Sequence, residues 1–148
     1  VVIMDKKCVM GKIKIVSEVF DKFMMKRLKA EGMPILQNHI TLFHILPEDG
    51  STLLFNEVAS LWQISKSSLS DIINKYEGQG LIQKCECHSD KRSVHIRLTE
   101  DAMPIRKRIL ELEEEFRSIL LKDFTDEQKE IFECNIDKVI NNINDFRF

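Results

Sequence analysis

From about Lys6 to Ala30, apolar residues recur at Val9, Ile13, Val16, Phe20, Phe23 and Met24. Steps of three and four place them on one stripe of an α-helix. Gly32 and Pro34 separate this helix from the next, because glycine suits a helix C-terminus and proline suits a first turn. A second helix is predicted over about Pro34–Leu46, with Ile35, Leu36, Ile40, Phe43 and Ile45 as its apolar positions. Pro47-Glu-Asp-Gly-Ser51 is a turn cluster. Two short helical segments follow, about Phe55–Trp62 and Lys66–Tyr76, and Gly78 and Gly80 stop the second.

The period then changes. Leu81–Cys87 and Ser93–Leu98 alternate in steps of two, as paired strands do, around a polar tip His88–Arg92. Thr99 is placed to cap a further helix, with Glu100 and Asp101 near the positive end of its dipole. That helix is predicted to reach about Leu121, and Pro104 falls in its early turns, where it starts the helix proper or kinks it. Thr125-Asp-Glu-Gln128 has the pattern of a capping box and opens a last helix through Ile131, Phe132, Ile136, Val139, Ile140 and Ile143. The predicted order is four helices, a hairpin and two long helices. The fold class is mainly α with a small β-hairpin.

The length of 148 residues suits one compact domain, or a small domain with appended helices, and needs no disulfide or metal staple. A formal charge of −2 removes any whole-molecule electrostatic argument for nucleic acid, so a DNA contact must rest on local clustering. The cysteines at 8, 85, 87 and 134 form no CxxC pair and are expected as free cytosolic thiols. No apolar run approaches the roughly 18 residues of a membrane span. The N-terminal VVIMDKK lacks the apolar core of a signal peptide. The expected location is the cytoplasm, with no membrane partner.

The middle of the chain carries the candidate chemistry. Two short helices that cross steeply need a small residue at their closest approach, and Ala59 supplies one. Val58, Trp62, Ile64, Leu69 and Ile72 stand where they would close the core between them. The second helix begins around Ser65 and turns Lys66, Ser67, Ser68, Ser70, Asp71, Asn74 and Lys75 outward. Short hydrogen-bonding groups and cations of this kind suit base edges and phosphates. This is the pattern of a helix-turn-helix whose second helix enters the major groove. A hairpin directly after such a helix makes a winged helix, and Lys84, Lys91, Arg92 and Arg97 outnumber Glu86 and Asp90 across it.

The run ISKSSLSDIINKYEGQGLI followed by SDKRSVHIRLTE closely resembles the MarR (multiple-antibiotic-resistance regulator) family. The matching motifs are Gly80-Leu81-Ile82, Asp90-Lys91-Arg92 and Leu98-Thr99. The strong match spans about residues 55–100. The flanking helices agree in order and length. Two departures are Asp101-Ala102, where a glycine often follows Leu-Thr-Glu, and the extra Gly78 in Glu-Gly-Gln-Gly.

The resemblance implies a homodimeric transcriptional regulator, a repressor by expectation, that reads a pseudo-palindrome in double-stranded DNA. It implies an N-terminal dimerisation helix over 1–33, a winged helix-turn-helix over 34–100 with its wing at about 81–98, and C-terminal dimerisation helices over 101–148. The long helices independently carry more apolar positions than one small winged helix needs, with Phe124, Phe132, Phe146 and Phe148 as interface candidates. Lys91 and Arg92 are the wing's expected DNA contacts. Asp90 is expected to hold the guanidinium of Arg92, whose planar fork pairs bidentately with carboxylate or phosphate. A small lipophilic or phenolic effector is the expected trigger of release.

The remaining candidates are less specific. Cys85 and Cys87 flank Glu86 and are expected to pack under the wing, with a redox or metal role as the alternative. Cys8 lies near the start of the first helix, where oxidant-sensing relatives carry a reactive cysteine, with Lys6 and Lys7 beside it. His39 and His44 are expected as face- or crevice-lining histidines, and Glu111–Glu115 as a solvated helix face. No phosphate-binding glycine loop, Gly-x-Ser-x-Gly or histidine–carboxylate metal motif is present in the sequence, so no enzyme, cofactor or metal is expected. The rival readings are a cysteine-based redox-sensing regulator and a winged helix used only for protein contacts.

Overall fold

The computed structural model describes residues 8–87 and 90–146, apart from the side chains of Cys87 and residues 90–92. The helices are α1 (Val9–Ala30), α2 (Ile40–Ile45), α3 (Phe55–Trp62), α4 (Lys66–Gly78), α5 (Met103–Leu120) and α6 (Asp126–Asn144). The strands are β1 (Leu53–Leu54), β2 (Ile82–Cys87) and β3 (Asp90–Leu98), and short 3-10 turns occupy Gln37–His39 and Glu100–Ala102. The chain divides between Glu113 and Glu114 into two compact units.

α1 ends as its glycine predicts. Gly32 has φ +64°, its N–H reaches the Lys29 carbonyl at 3.1 Å, and the Met33 N–H reaches Leu28 at 2.9 Å. These two bonds are a Schellman motif, which satisfies carbonyls that the helix end would otherwise leave open. α4 ends the same way, with Gly80 at φ +75° and the Leu81 N–H on the Tyr76 carbonyl at 2.9 Å. Gly78, expected to share in stopping α4, is instead its last helical residue.

The helix predicted from Pro34 starts late. Leu36 is extended at φ −88°, ψ 146°, and α2 proper begins only at Ile40. The reason is tertiary: the Leu36 N–H donates to the hydroxyl of Tyr76 at 3.2 Å, and Ile35 is buried in the core. Thr99 also departs from expectation. Its hydroxyl donates to the Gly80 carbonyl at 2.6 Å and caps no helix, so it ties the start of the hairpin to its end. Pro104 sits in the first turn of α5, where its missing N–H costs no hydrogen bond.

The core of the first unit gathers Met24 and Leu28 from α1, Leu42 and Phe43 from α2, Leu69, Ile73 and Tyr76 from α4, Ile82, Ile96 and Leu98 from the sheet, and Ile109 and Leu112 from α5. Polar pairs on its surface fasten the start of α5. Arg106 donates to the Phe43 carbonyl at 3.2 Å, and Arg108 forks onto Glu31 at 2.6 and 2.8 Å. That guanidinium, ahead of Arg27, holds the carboxyl of Glu31 below its usual range. Glu113 meets Nε2 of His44 at 2.6 Å. The acidic run expected as a solvated face is therefore partly paired, and Leu112 within it is fully buried.

The three strands form an antiparallel sheet in the order β1-β3-β2. The two-residue β1 has no counterpart in the predicted elements. Ile82 pairs with Leu98 and Lys84 with Ile96, while Leu53 joins Ile96 from the other side. These positions share the core-facing side of the sheet. The register holds to Glu86 opposite Val94 and then slips, so that Cys87 pairs with Asp90. Lys91 and Arg92, expected in the turn, lie in β3 at this bulge.

In the second unit, Thr125 and Gln128 make the predicted capping box at the start of α6, at 2.9 and 3.2 Å. Phe124 and Phe132 meet edge to face, with centroids 6.1 Å apart. Along α6, Ile131, Ile136, Val139, Ile140 and Ile143 remain about half-exposed.

Candidate nucleic-acid interface

α3 and α4 form a helix-turn-helix. Gln63 adopts the left-handed conformation at φ 58°, and the Ile64 N–H bonds back to the Ala59 carbonyl at 3.3 Å. Val58, Ala59 and Leu69 are buried between the helices, and Trp62, Ile64 and Ile72 pack at the margin of the core. Trp62 is thus half-buried, less enclosed than its bulk alone suggests.

Ser65 is the N-cap of α4. Its side chain accepts from the Ser68 N–H at 3.1 Å, and its hydroxyl donates to that of Ser68 at 2.8 Å. The hydroxyls of Ser65 and Ser67 lie 3.3 Å apart. Leu69, Ile73 and Tyr76 take the inward side. Ser65, Lys66, Ser67, Ser68, Asp71, Asn74 and Lys75 are exposed and Ser70 is half-buried. Lys75 rises over the ring of Tyr76, 5.6 Å from its centroid.

The wing is joined to this helix by a contact that the sequence reading missed. The ammonium of Lys84 on β2 donates to Oδ1 of Asn74 and lies 3.5 Å from Oε1 of Glu77. The backbone N–H of Lys84 also donates to Oε2 of Glu77, at 3.3 Å. The available signal was phase: Lys84 is a charged residue at a core-facing position of an alternating strand, which calls for a partner. Next along the sheet, the guanidinium of Arg97 donates to Oε1 of Gln83.

The expected contacts of Asp90, Lys91 and Arg92, and any role of Cys87, involve side chains outside the described residues. Lys6, Lys7 and Phe148 are also outside them. Cys85 faces away from the core side of the sheet, paired across the ladder with His95, and is half-exposed. It does not pack under the wing as expected, because the strand phase that buries Ile82 and Ile96 turns it outward. Cys8 and Cys134 are exposed thiols. Among the described residues no group of three or more metal-ligating side chains comes together, and His44 has only Glu113. No helix among them is long and apolar enough to cross a membrane.

A helix-turn-helix with a capped, polar-faced second helix and an antiparallel hairpin directly after it defines a winged-helix protein. Residues 31–93 match the family model described as MarR family. Similar folds occur in a MarR transcriptional regulator from Methanosarcina mazei Go1, with 17% identity over 96% of this chain and 100% of that one and a TM-score of 0.82. A putative MarR family regulator from Listeria monocytogenes, solved with 26mer DNA, is 21% identical over 96% and 91% of the two chains, with a TM-score of 0.76. MepR of S. aureus in its DNA-binding conformation is 17% identical over 92% and 98%, with a TM-score of 0.74. Over residues 31–93 this chain is similar to the MarR family model, and its fold is the winged helix-turn-helix of these solved structures.

Proposed function

We propose that the protein binds a pseudo-palindromic DNA site as a homodimer in the cytoplasm, represses transcription from it, and is released by a small lipophilic or phenolic effector. One observation carries this reading: the polar face of α4 is exposed from its Ser65 cap to Lys75, directly before the hairpin. The open amides at the start of α4, with Ser65, Ser67 and Ser68, suit a phosphate at a helix N-terminus. Ser70, Asp71 and Asn74 then face base edges, flanked by Lys66 and Lys75. Lys91 and Arg92 reach the neighbouring groove or backbone, and Asp90 orients Arg92. The Listeria and S. aureus relatives, one solved with DNA and one in a DNA-binding conformation, support this use of the fold.

Homodimerisation is supported by two apolar rows left at the surface. α1 exposes Val9, Met10, Ile13, Val16 and Val19, and α6 exposes Ile131, Phe132, Ile136, Val139, Ile140 and Ile143. Rows of this size mark an interaction surface. In this reading 1–33 and 101–148 supply the dimer contacts, and 34–100 supply the DNA contacts. A two-fold dimer reads half-sites centred about 10 bp apart, or a multiple of that. The effector acts by binding one state of the dimer more tightly than the other.

The test is a mobility shift on fragments from upstream of the protein's own gene, at two salt concentrations, with the mass of the complex measured alongside. The expected result is a salt-sensitive, sequence-preferring complex of two chains per duplex. Equal affinity for genomic and random DNA contradicts the operator, and unchanged affinity of Arg92→Ala contradicts the wing contact.

A further inference from the structure

Asn74 faces outward from α4, yet its amide is not unengaged. Lys84 donates to it from the wing. A lysine ammonium is donor-only, so the amide atom that it meets is the oxygen, and the two N–H donors of Asn74 point elsewhere. Glu77 keeps the ammonium in place: Nζ lies 3.5 Å from Oε1, and the Lys84 backbone N–H is anchored on Oε2 at 3.3 Å. β2 is an edge strand, which leaves such an N–H open to a side chain. Asn74 and Glu77 are one helical step of three apart, so both reach the same lysine.

An asparagine in the major groove ordinarily reads adenine with both ends of its amide, accepting from N6 and donating to N7. Here the accepting end already faces a cation. A second donor brought to that oxygen, the exocyclic amine of adenine, would also meet the ammonium's own positive charge. Guanine offers O6 and N7, both acceptors, which suit the amide donors and meet no repulsion from the nearby ammonium. We infer that Lys84 is a specificity-determining residue, which holds Oδ1 of Asn74 and thereby sets that asparagine to read guanine in place of adenine. The inference rests on the proposed placement of the α4 face against base edges. Lys84 acts as a positioning residue within the protein, and its charge disfavours the wrong base as much as it favours the right one.

The test is selection of bound sequences from a duplex library with randomised half-sites, using wild type, Asn74→Ala, Lys84→Met and Lys84→Arg, each checked for a retained melting transition. Asn74→Ala identifies the base pair that depends on Asn74. At that pair Lys84→Met is expected to shift relative affinity from guanine toward adenine by about tenfold, with the salt dependence unchanged, and Lys84→Arg is expected to keep guanine. Should Lys84→Met fail to fold, Glu77→Gln loosens the same ammonium and is expected to give a smaller shift of the same sign. Uniformly weaker binding by Lys84→Met, with every base preference kept and the salt slope lowered by about one, overturns the inference and makes Lys84 a phosphate contact. A wild type without sequence preference overturns the α4 reading itself, which is a different failure.

Discussion

The hydroxyl of Tyr76, near the end of α4, lies 2.7 Å from Nδ1 of His39, just ahead of α2. The same oxygen accepts the Leu36 N–H at 3.2 Å. In the tautomer with the imidazole proton on Nε2, the phenol donates its proton to a bare Nδ1 while its oxygen accepts from Leu36, which satisfies both groups. Protonating His39 would set a second donor against the phenol oxygen. Burial, helped by the positive charge of Lys75, accordingly lowers the pKa of His39 below its ordinary 6.5.

A histidine with a lowered folded pKa contributes stability that is fully present above the unfolded value and is lost as the pH falls through the folded one. Melting temperature is therefore expected to drop between about pH 8 and about pH 5, and to drop less in His39→Gln. Comparing the two proteins isolates the contribution of His39 from that of every other titrating group. Parallel curves for both proteins would mean that His39 contributes nothing to the pH dependence.

Tyr76→Phe keeps the ring, which packs edge to face on Phe43 at 5.6 Å, and removes the hydroxyl. It leaves the Leu36 N–H without its partner, at a cost of about 1–3 kcal/mol. Urea denaturation measures the loss, and faster hydrogen exchange at the Leu36 amide locates it. Unchanged exchange there would mean that water replaces the phenol at no cost.

Ser65 separates stability from binding. Ser65→Ala removes the cap of α4 and is expected to cost about 1 kcal/mol. Ser65→Asp restores a cap acceptor and a favourable charge at the helix N-terminus, so its stability is expected to match that of the parent. The same carboxylate repels a phosphate, so DNA affinity is expected to fall in Ser65→Asp although the fold is intact. Equal affinity of Ser65→Asp and wild type would remove the start of α4 from the interface.

On α6, Ile140→Asp places a charge in the middle of the exposed apolar row. Sedimentation is expected to show a smaller species than wild type at equal concentration, with the helix content of the chain retained. A variant that sediments like wild type would exclude this row as the subunit interface.

The periodic parts of the fold were legible because their causes are local. α1, α3, α4 and α6 follow apolar spacing, and Thr125–Gln128, Gly32 and Gly80 mark their ends by chemistry contained within a few residues. The failures share a different cause. Pro34 reads as a helix start, yet Leu36 is drawn into extended backbone by a tyrosine 40 positions away. Thr99 reads as a cap, yet its hydroxyl is taken by Gly80. β1 is two residues long and exists only through its pairing with β3. At the candidate interface, the outward residues of α4 could be read from helical phase alone. For the Asn74–Lys84 contact, strand phase signals only that Lys84 needs a partner; that the partner is Asn74 depends on how the wing folds back against α4.

DNA is expected to lie against the exposed face of α4. The most direct measurement is affinity for one selected duplex across a salt series, for wild type, Lys75→Ala and Ser67→Glu. The expected result is a linear fall of log affinity with log salt, a slope reduced by about one in Lys75→Ala, and no specific binding by Ser67→Glu. A wild-type affinity indifferent to salt and sequence, or a Ser67→Glu variant that binds as tightly as the parent, would contradict it.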